Sequence, residues 1–241
     1  MKRTGIIFIL AALIFLGSGC ASSGKAALLA QKDPIALVSV VSNEDINWQE
    51  DPPQDPDNLS SAIRRMMRSD PDLAVVTKAD ELINEAESIF REAMSASRHF
   101  VLADRERVLQ SRSYLNAKEK KYPNRNMVKA ENYRFIDYGD KNFSAALADE
   151  TGIQRSMFVE FNFSKFVYSG FSLSGNIKAE VEMTVIVVDA RGKTIYRKTS
   201  TVPSLAVTTT TSGLYSQSEL KGLFWEAIAN SCFEFFDQFE Y

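Results

Sequence analysis

The sequence predicts an α+β domain, and three patterns lead to this prediction. A continuous apolar run of strand length covers residues 35–41, apolar residues recur at helical spacing over residues 79–94, and apolar and polar residues alternate over residues 177–188. A helical period places one buried stripe on a helix, whereas a period of two buries one face of a strand. The expected order is strand, helix, strand, helix, then a three-stranded antiparallel meander and a packed C-terminal helix.

The amino terminus has the organisation of a secretory signal peptide. Two basic residues precede an apolar run over residues 6–16, and three small residues then precede Cys20. The apolar run is shorter than the roughly 20 residues that a membrane-spanning helix needs, which favours a cleaved signal over a permanent span. We therefore expect residues 1–19 to be removed.

Cys20 and the residues before it resemble the lipobox of bacterial lipoproteins. In that motif the thiol receives a diacylglycerol and becomes the new amino terminus, and a leucine usually lies three residues before the cysteine. Here Gly17 has that position and Leu16 lies one residue further out. The resemblance implies membrane attachment through acyl chains such as palmitate on Cys20. It also implies sorting to the outer membrane, because the sorting rules of some bacteria permit this when the residue after the cysteine is not aspartate, and Ala21 has that position. The alternative is a plain cleavage site with Cys20 as an incidental thiol.

The composition argues against nucleic acid as a partner. Removal of the signal takes two of the 28 basic residues and none of the 31 acidic ones, so the net charge moves from -3 to -5. A phosphate-binding surface needs an excess of Lys and Arg instead. Cys232 is the second of two cysteines, so acylation of Cys20 leaves it without an internal disulfide partner, and we expect a buried thiol.

Residues 20–33 are predicted to form a lipidated tether, and residues 34–241 a single α+β domain. After the first strand, residues 43–58 contain six acidic residues and three prolines but no basic residue. This composition predicts an exposed acidic loop. The loop is either a solvated connector or, because it carries Trp48, a partner-binding loop.

A short amphipathic helix is predicted after the acidic loop. Its apolar residues recur at helical spacing over residues 59–67, while Arg64, Arg65 and Arg68 fall between them. Either the apolar side packs on the domain and the arginines are solvated, or the helix contacts anionic lipid.

The middle of the chain is predicted to alternate helices and strands. The long helix is followed by a short strand at residues 100–103 and a charged helix from residue 105 to about residue 114. Residues 118–129 are basic and contain a proline, which indicates a surface excursion. A short helix at residues 143–150 then ends at Gly152, which suits a left-handed cap.

The strands of the meander are the most regular part of the sequence. Buried residues alternate with polar ones in a strand that begins near Met157, and the second strand covers residues 177–188. A turn at residues 189–192 leads into a third strand at residues 193–202.

The carboxyl-terminal segment is predicted to be a loop and a helix. The threonines of residues 208–211 are expected in a loop, because they offer little apolar area. Ser216 and Glu219 form a capping box, and the closing helix over residues 217–239 carries a wide apolar stripe that we expect to pack across the sheet.

No catalytic, metal-binding or cofactor-binding pattern emerges from the sequence. His99 is the only histidine and has no cysteine, histidine or carboxylate cluster at ligand spacing, so a structural role is expected. Ser218 and Lys221 have the spacing of penicillin-recognising enzymes, but the companion motifs are missing. Ser172 lies in a glycine-flanked segment that lacks the second glycine of a nucleophile elbow, so a turn explains it.

The order of elements resembles a known group of bacterial envelope lipoproteins. The resemblance covers residues 35–239 and includes the phrases Phe-Val-Leu-Ala-Asp-Arg at residues 100–105 and Leu-Ala-Asp-Glu-Thr-Gly at residues 147–152. The group contains periplasmic activators of penicillin-binding proteins and subunits of the curli secretion channel. It implies a strand, a helix, a strand ending near Asp-Arg, and a meander. This chain departs from that pattern by inserting the acidic loop and the arginine helix.

We therefore expect a non-enzymatic, lipid-anchored protein of the bacterial cell envelope, in the outer membrane, whose periplasmic-type domain binds a protein partner. It would act as a regulator of cell-wall synthesis or an assembly factor. One alternative is a self-assembling secretion or pore subunit, in which residues 164–176 and 202–217 extend the meander. Another is a peripheral lipid-binding protein that uses the arginine helix or the aromatic end of the closing helix. The aromatic residues of that end are Phe233, Phe235, Phe236, Phe239 and Tyr241.

Overall fold

The computed structural model describes residues 25–26, 28–29, 33–48, 79–171, 174–211 and 214–240. The predicted signal peptide, Cys20, the arginine helix, Ser172, Tyr241 and most of the acidic loop lie outside these residues. The elements are β1 (Ile35–Asn43), β2 (Asn47–Trp48), α1 (Ala79–Ala96), α2 (Arg105–Leu109), α3 (Arg112–Leu115), β3 (Met127–Lys129), α4 (Lys141–Thr151), β4 (Arg155–Phe171), β5 (Ser174–Asp189), β6 (Thr194–Pro203), β7 (Thr208–Thr211) and α5 (Gln217–Asp237).

One mixed sheet of seven strands forms the centre of the fold. Its order is β3-β1-β4-β5-β6, while β2 pairs with β4 and β7 pairs with β5. β1 runs parallel to β4, whereas β4, β5 and β6 are antiparallel neighbours that follow one another along the chain. The predicted α+β class, the three-stranded meander and the C-terminal helix packed on the sheet are confirmed.

The β4–β5 hairpin is the longest pairing in the sheet, and the alternation of its residues explains its register. Every second residue of β5 from Ile177 to Val187 is buried, and Val185 faces Val159 of β4. Opposed apolar side chains on one face hold the register, because a slip of one residue would turn all of them to solvent. At the tip Gly170 has a φ of +81°, and a Cβ there would lie 2.8 Å from the Cα of Gly175. The glycines therefore serve the turn between strands, as predicted.

Helices α1 and α5 cover this buried face of the sheet. Phe90 of α1 lies 5.3 Å from Phe236 and 6.1 Å from Phe235, measured between ring centroids. Phe224 of α5 contacts Phe163 of β4 edge to face. Each buried aromatic or aliphatic side chain contributes about 1.5–3 kcal/mol relative to exposure. Together these residues form the main core, and Cys232 is fully buried within it as a free thiol, as expected.

The opposite face of the sheet is only partly covered. A second core contains Ala36 and Val38 of β1, Phe158 of β4 and Val188 of β5, and it lies against α2, α3 and α4. These helices are short and cover β1 together with the part of β4 and β5 around Phe158 and Val188. The remaining face of β4, β5 and β6 is lined by polar side chains. The fold therefore leaves an uncovered sheet face opposite α5.

Two predictions for the middle of the chain are wrong in detail. Residues 100–103 form a single bridge, in which Leu102 pairs with Ile35, rather than a strand. The charged helix predicted at residues 105–114 is two helices, α2 and α3. Ser111 separates them, since its hydroxyl donates to the carbonyl of Val108 and accepts from the backbone nitrogen of Tyr114. A serine that caps a new helix competes with continuation of the old one.

Three segments predicted as loops or as a surface excursion contain strands. Residues 127–129, at the end of the predicted excursion, form β3 and pair with β1. Residues 208–211 form β7, where Thr208 and Thr210 are buried and the backbone pairs with β5. Threonine is β-branched and packs well on a sheet, which outweighs its small apolar area. The acidic loop predicted from Asn43 begins later, because Asn43 belongs to β1 and β2 pairs with β4.

The predicted caps and turns are confirmed. Gly152 ends α4 in the left-handed region with φ at 74°, and Ser216 accepts a hydrogen bond from the backbone nitrogen of Glu219 at the start of α5. In the turn before β6, the Asp189 carboxylate accepts from the backbone nitrogen atoms of Arg191 and Lys193 at 2.9 Å each. Side-chain acceptors of this kind satisfy backbone donors that have no strand or helix partner.

The amino-terminal segment packs on the domain before β1 begins. Leu28 is fully buried, and its carbonyl accepts a hydrogen bond of 3.0 Å from the Arg155 guanidinium. The Lys25 ammonium donates to the carbonyl of Gln238 and lies 5.7 Å from the centroid of the Phe239 ring. Parts of the predicted tether at residues 20–33 are thus in contact with the end of α5.

Lys165 is a buried cation at the end of the core face of β4. It is 3% exposed, and its ammonium donates to the carbonyl of Ile46 at 3.3 Å and lies 5.6 Å from the ring centroid of Tyr215. Burial lowers the pKa of Lys165 to about 8. An unfolded lysine has a pKa of about 10.4, so the unfolded state binds more protons between these two values and stability rises with pH there.

We expect the free energy of unfolding of the wild type to rise from pH 8 to pH 10 relative to that of Lys165→Met. Urea denaturation of both proteins at several pH values measures this difference, and titration of the shared tyrosines cancels in it. Lys178→Met, on the solvent side of β5, is the control and should show no such trend. A difference between wild type and Lys165→Met that is independent of pH would contradict the prediction.

Candidate functional site: a cleft over the uncovered sheet face

A cleft of about 630 Å³ lies between the connection from α3 to α4 and the uncovered face of the sheet. We call it the sheet cleft. Its floor is formed by side chains from three adjacent strands: Glu160, Glu182, Thr184, Ile186, Arg197 and Thr199. Its wall is formed by side chains of the connection: Lys120, Lys121, Tyr122, Pro123, Asn124, Arg125 and Tyr138.

Strand register brings the floor residues together. Thr184 of β5 lies opposite Glu160 of β4 and Thr199 of β6, and Ile186 lies opposite Arg197. The hydroxyl groups of Thr184 and Thr199 are 2.8 Å apart. Since neighbouring side chains of a strand point to opposite faces, the buried residues between them point toward α5. The polar residues of these alternating strands therefore form the floor, while their apolar residues form the core on the other face.

Arg134 fixes the position of the wall. Its backbone nitrogen donates to the Tyr114 hydroxyl at 2.9 Å, and its guanidinium donates to the carbonyls of Leu115 at 2.6 Å and Ala117 at 3.1 Å. Tyr114 is buried, and this burial raises its pKa. Charge-assisted hydrogen bonds to carbonyls are stronger than neutral ones, so this arginine holds the connection against α3.

A buried polar cluster ties the connection to α1. The Tyr133 hydroxyl donates to the Glu87 carboxylate at 2.8 Å, and both residues are buried. Arg91 and Arg105 lie 3.6 Å and 4.0 Å from the same carboxylate. Burial raises the pKa of Tyr133, and the charge of Glu87 raises it further. A buried carboxylate needs such partners, because an unpaired charge in the core is costly.

Lys120 lies between two tyrosine rings at the centre of the wall. Its ammonium is 5.1 Å from the ring centroids of Tyr122 and Tyr138, and 3.7 Å from the Asp137 carboxylate. Its backbone nitrogen donates to the carbonyl of Phe135 at 2.7 Å. Burial, followed by the charge of Glu160, raises the pKa of Tyr122 to about 12. Tyr122 therefore keeps its hydroxyl proton, and the Lys120 ammonium lies near both tyrosine rings.

Charges of both signs are available to a ligand in the cleft. Arg125 forms an ion pair with Glu160 at 3.2 Å, which joins the wall to the floor. In contrast, Lys121, Glu182 and Arg197 form no ion pair with any residue that the structure describes. The described lining includes neither histidine nor cysteine. This set of groups is suited to binding a polar surface through hydrogen bonds and ion pairs.

The candidate residues weighed from the sequence lie elsewhere. His99 is exposed in the turn after α1. Lys221 forms an ion pair with Glu81 of α1, and Ser218 lies 3.0 Å from the Ser216 hydroxyl at the start of α5. Within the described ranges, no group of three or more His, Cys, Asp or Glu side chains could hold a metal ion. The structure thus brings none of these residues together with the cleft.

The cleft was not predicted from the sequence, although two features of the sequence correspond to its wall and its floor. Residues 118–129 were expected to be a surface excursion, and the polar residues of the meander were expected on one face. The sequence does not show which part of that polar face helices α2, α3 and α4 leave uncovered. Residues from β4, β5 and β6 meet only through strand pairing, so their spacing along the chain carries no signal.

Comparison with solved structures gives a distant structural likeness. No family model matches this chain, and no curated protein matches it at a significant level. The solved structure of the hypothetical protein CT253 from Chlamydia trachomatis is similar with a TM-score of 0.34 and 12% sequence identity, over 87% of this chain and 94% of that chain. At that score the likeness supports no argument about function. No helix in the described part of the chain is both long and apolar enough to cross a membrane.

We expect Tyr133→Phe to lower the free energy of unfolding by about 1.5–3 kcal/mol, because it removes a buried hydrogen bond to a charged group. Urea denaturation at neutral pH measures the change. Tyr168→Phe, at an exposed position of β4, is the matched control and should leave stability nearly unchanged. Equal stability of the two variants would show that the Tyr133–Glu87 bond does not hold the connection in place.

Proposed function

We propose that this protein is a non-enzymatic lipoprotein of the bacterial cell envelope, held on the outer membrane by acyl chains on Cys20, whose domain binds a protein partner in the sheet cleft. The observation that carries the binding proposal is the exposed set of Lys121, Glu182 and Arg197 around fixed tyrosine rings. The resemblance to activators of penicillin-binding proteins and secretion-channel subunits supports a role in regulating cell-wall synthesis or in assembly.

The chemistry of the cleft favours a polypeptide over a small molecule. Sites for small molecules are usually enclosed and mostly apolar, whereas this cleft is open and lined by charged and hydroxyl groups. Tyrosine and arginine are enriched at protein interfaces, where they supply both contact area and hydrogen bonds. The cationic side chains of the lining are mixed with the carboxylates of Glu160 and Glu182, rather than forming the continuous basic surface that a nucleic-acid backbone needs. A partner segment that carries both acidic and basic side chains fits this arrangement.

Membrane attachment is supported by the order of the amino-terminal residues. The basic residues, the apolar run and Cys20 follow the order of a lipoprotein signal. Several acyl chains anchor a protein firmly without a transmembrane helix.

A photo-crosslinking residue placed at Lys121 or Thr199 tests the partner site in the native envelope. We expect both positions to yield a crosslinked product with the same protein, because they line the wall and the floor of one cleft. The same residue at Glu92, exposed on α1, is the control and should not yield it. Adding Arg197→Glu to the Thr199 derivative should weaken the product severalfold, because it reverses an exposed charge in the floor.

Products that do not depend on position would contradict a binding site in the cleft. Crosslinks solely to a second copy of the chain would favour the self-assembling alternative instead. Turnover of an envelope substrate by the purified domain would contradict the non-enzymatic role.

A further inference from the structure

We infer that the outer face of α5 lies against the lipid surface of the membrane to which Cys20 is attached. This inference rests on the lipid anchor of the proposed function and adds an orientation for the domain. The contact is made by Trp225, Ala229 and Phe233, which we call the outer stripe of α5.

The outer stripe is an apolar line on a helix whose other side is already buried. Trp225 is 48% exposed, Phe233 is 70% exposed and Ala229 between them is exposed. Residues four apart lie on one helical face, and the eight steps from Trp225 to Phe233 span about 12 Å along the axis. Large aromatic side chains on the exposed side of a helix indicate a contact surface when the inner side of that helix is already buried. The described chain covers only the inner side, which packs on α1 and the sheet.

The amino-terminal segment places the predicted anchor close to this stripe. Lys25 contacts Gln238 and Phe239, just beyond the end of α5. Only four residues separate Cys20 from Lys25. Five Cα steps extend to at most about 18 Å, and Gln238 lies about 7.5 Å along the helix axis from Phe233. An acylated Cys20 therefore keeps this end of α5 near the bilayer surface.

The charges beside the stripe specify the kind of surface. Lys221, one turn before Trp225, is paired with Glu81 of α1. The other charges near the stripe are acidic: Glu226 is half-buried beside Trp225, and Glu234 and Asp237 are exposed near Phe233. Two copies packed through this stripe would bring like charges together, so a second copy is disfavoured. Anionic lipid is disfavoured for the same reason. Aromatic side chains partition into the interface of a bilayer, so the occupant that fits is a zwitterionic lipid surface.

This orientation is compatible with the sheet cleft. Helix α5 packs on the core face of β5 and β6, whereas the cleft opens on the opposite face of the same strands. With α5 on the membrane, the cleft points away from the bilayer and stays accessible to a partner.

Fluorescence quenching by brominated lipid tests the contact on the full lipidated protein in phosphatidylcholine vesicles. Trp48→Phe leaves Trp225 as the single tryptophan of the chain. We expect Trp225 to lose about half of its emission, because an interfacial helix places its apolar side chains roughly 5–10 Å into the headgroup and acyl boundary. Replacing part of the phosphatidylcholine by phosphatidylglycerol should reduce the quenching.

Two further single-tryptophan proteins supply the matched comparison. Both carry Trp48→Phe and Trp225→Phe, and they add either Phe233→Trp or Leu115→Trp. Leu115 is 53% exposed on α3, in the helix layer on the other side of the sheet. We expect quenching at position 233 and little at position 115. Equal quenching at the two positions, or none at 225 and 233, would overturn the α5 contact.

Separate measurements distinguish this failure from failure of the anchor. The intact mass of the protein reports acylation, and pelleting with vesicles reports attachment, with Cys20→Ala as the unanchored control. If the protein is acylated and pellets with vesicles but Trp225 is not quenched, the proposed orientation is wrong and the proposed anchor is retained. A chain without acyl groups on Cys20 overturns both. A stable dimer in detergent that buries Trp225 assigns the stripe to a second copy and overturns the lipid contact.

Discussion

Burial of one face of the β4–β5 hairpin beneath α1 and α5 determines where the other elements lie. The apolar residues of β5 between Ile177 and Val187 share that face with the aromatic residues of α5, and neither set could be buried without the other. The side-chain period of a strand then sends the polar residues of the same hairpin to the opposite face. The interaction that builds the core thus also exposes the floor of the cleft.

The opposite face acquires a cleft because its helices are short. Helices α2 and α3, separated at Ser111, cover β1 and the ends of β4 and β5 near Phe158 and Val188. They leave open the part of the sheet around Thr184 and Thr199. The connection after α3 fills part of this space. The hydrogen bonds of Arg134 hold it against the end of α3, and the Arg125–Glu160 ion pair joins it to β4. The result is a fixed wall over a polar floor, with charges of both signs left for a partner.

The two proposed contacts fall on opposite sides of one rigid layer. Helix α5 presents Trp225 and Phe233 on the side where Lys25 joins the chain to the predicted anchor, and the cleft opens on the other side. A lipoprotein oriented in this way presents its binding site to the compartment. In this proposal the anchor and α5 orient the sheet so that the cleft faces away from the membrane.

The sequence by itself determined the elements whose information is local. The alternation in β5, the stripe of α1, the cap at Gly152 and the α+β class follow from residue periods and cap chemistry. The strand β7 was not predicted, because it depends on pairing with β5. The break at Ser111 was not predicted, because the hydrogen bond of its hydroxyl to Val108 competes with continuation of the helix.

Only the tertiary structure decided the surfaces. Phe233 and Phe235 belong to one aromatic segment, yet Phe235 is buried and Phe233 is exposed. The packing of α5 on α1 and the sheet decides which of these aromatic side chains faces the core. In the same way, Glu160, Thr184 and Arg197 meet in the cleft because hydrogen bonding between strands joins residues far apart in the chain. The order of residues in a sequence shows periods and caps, but it does not show which distant residues become neighbours in the sheet.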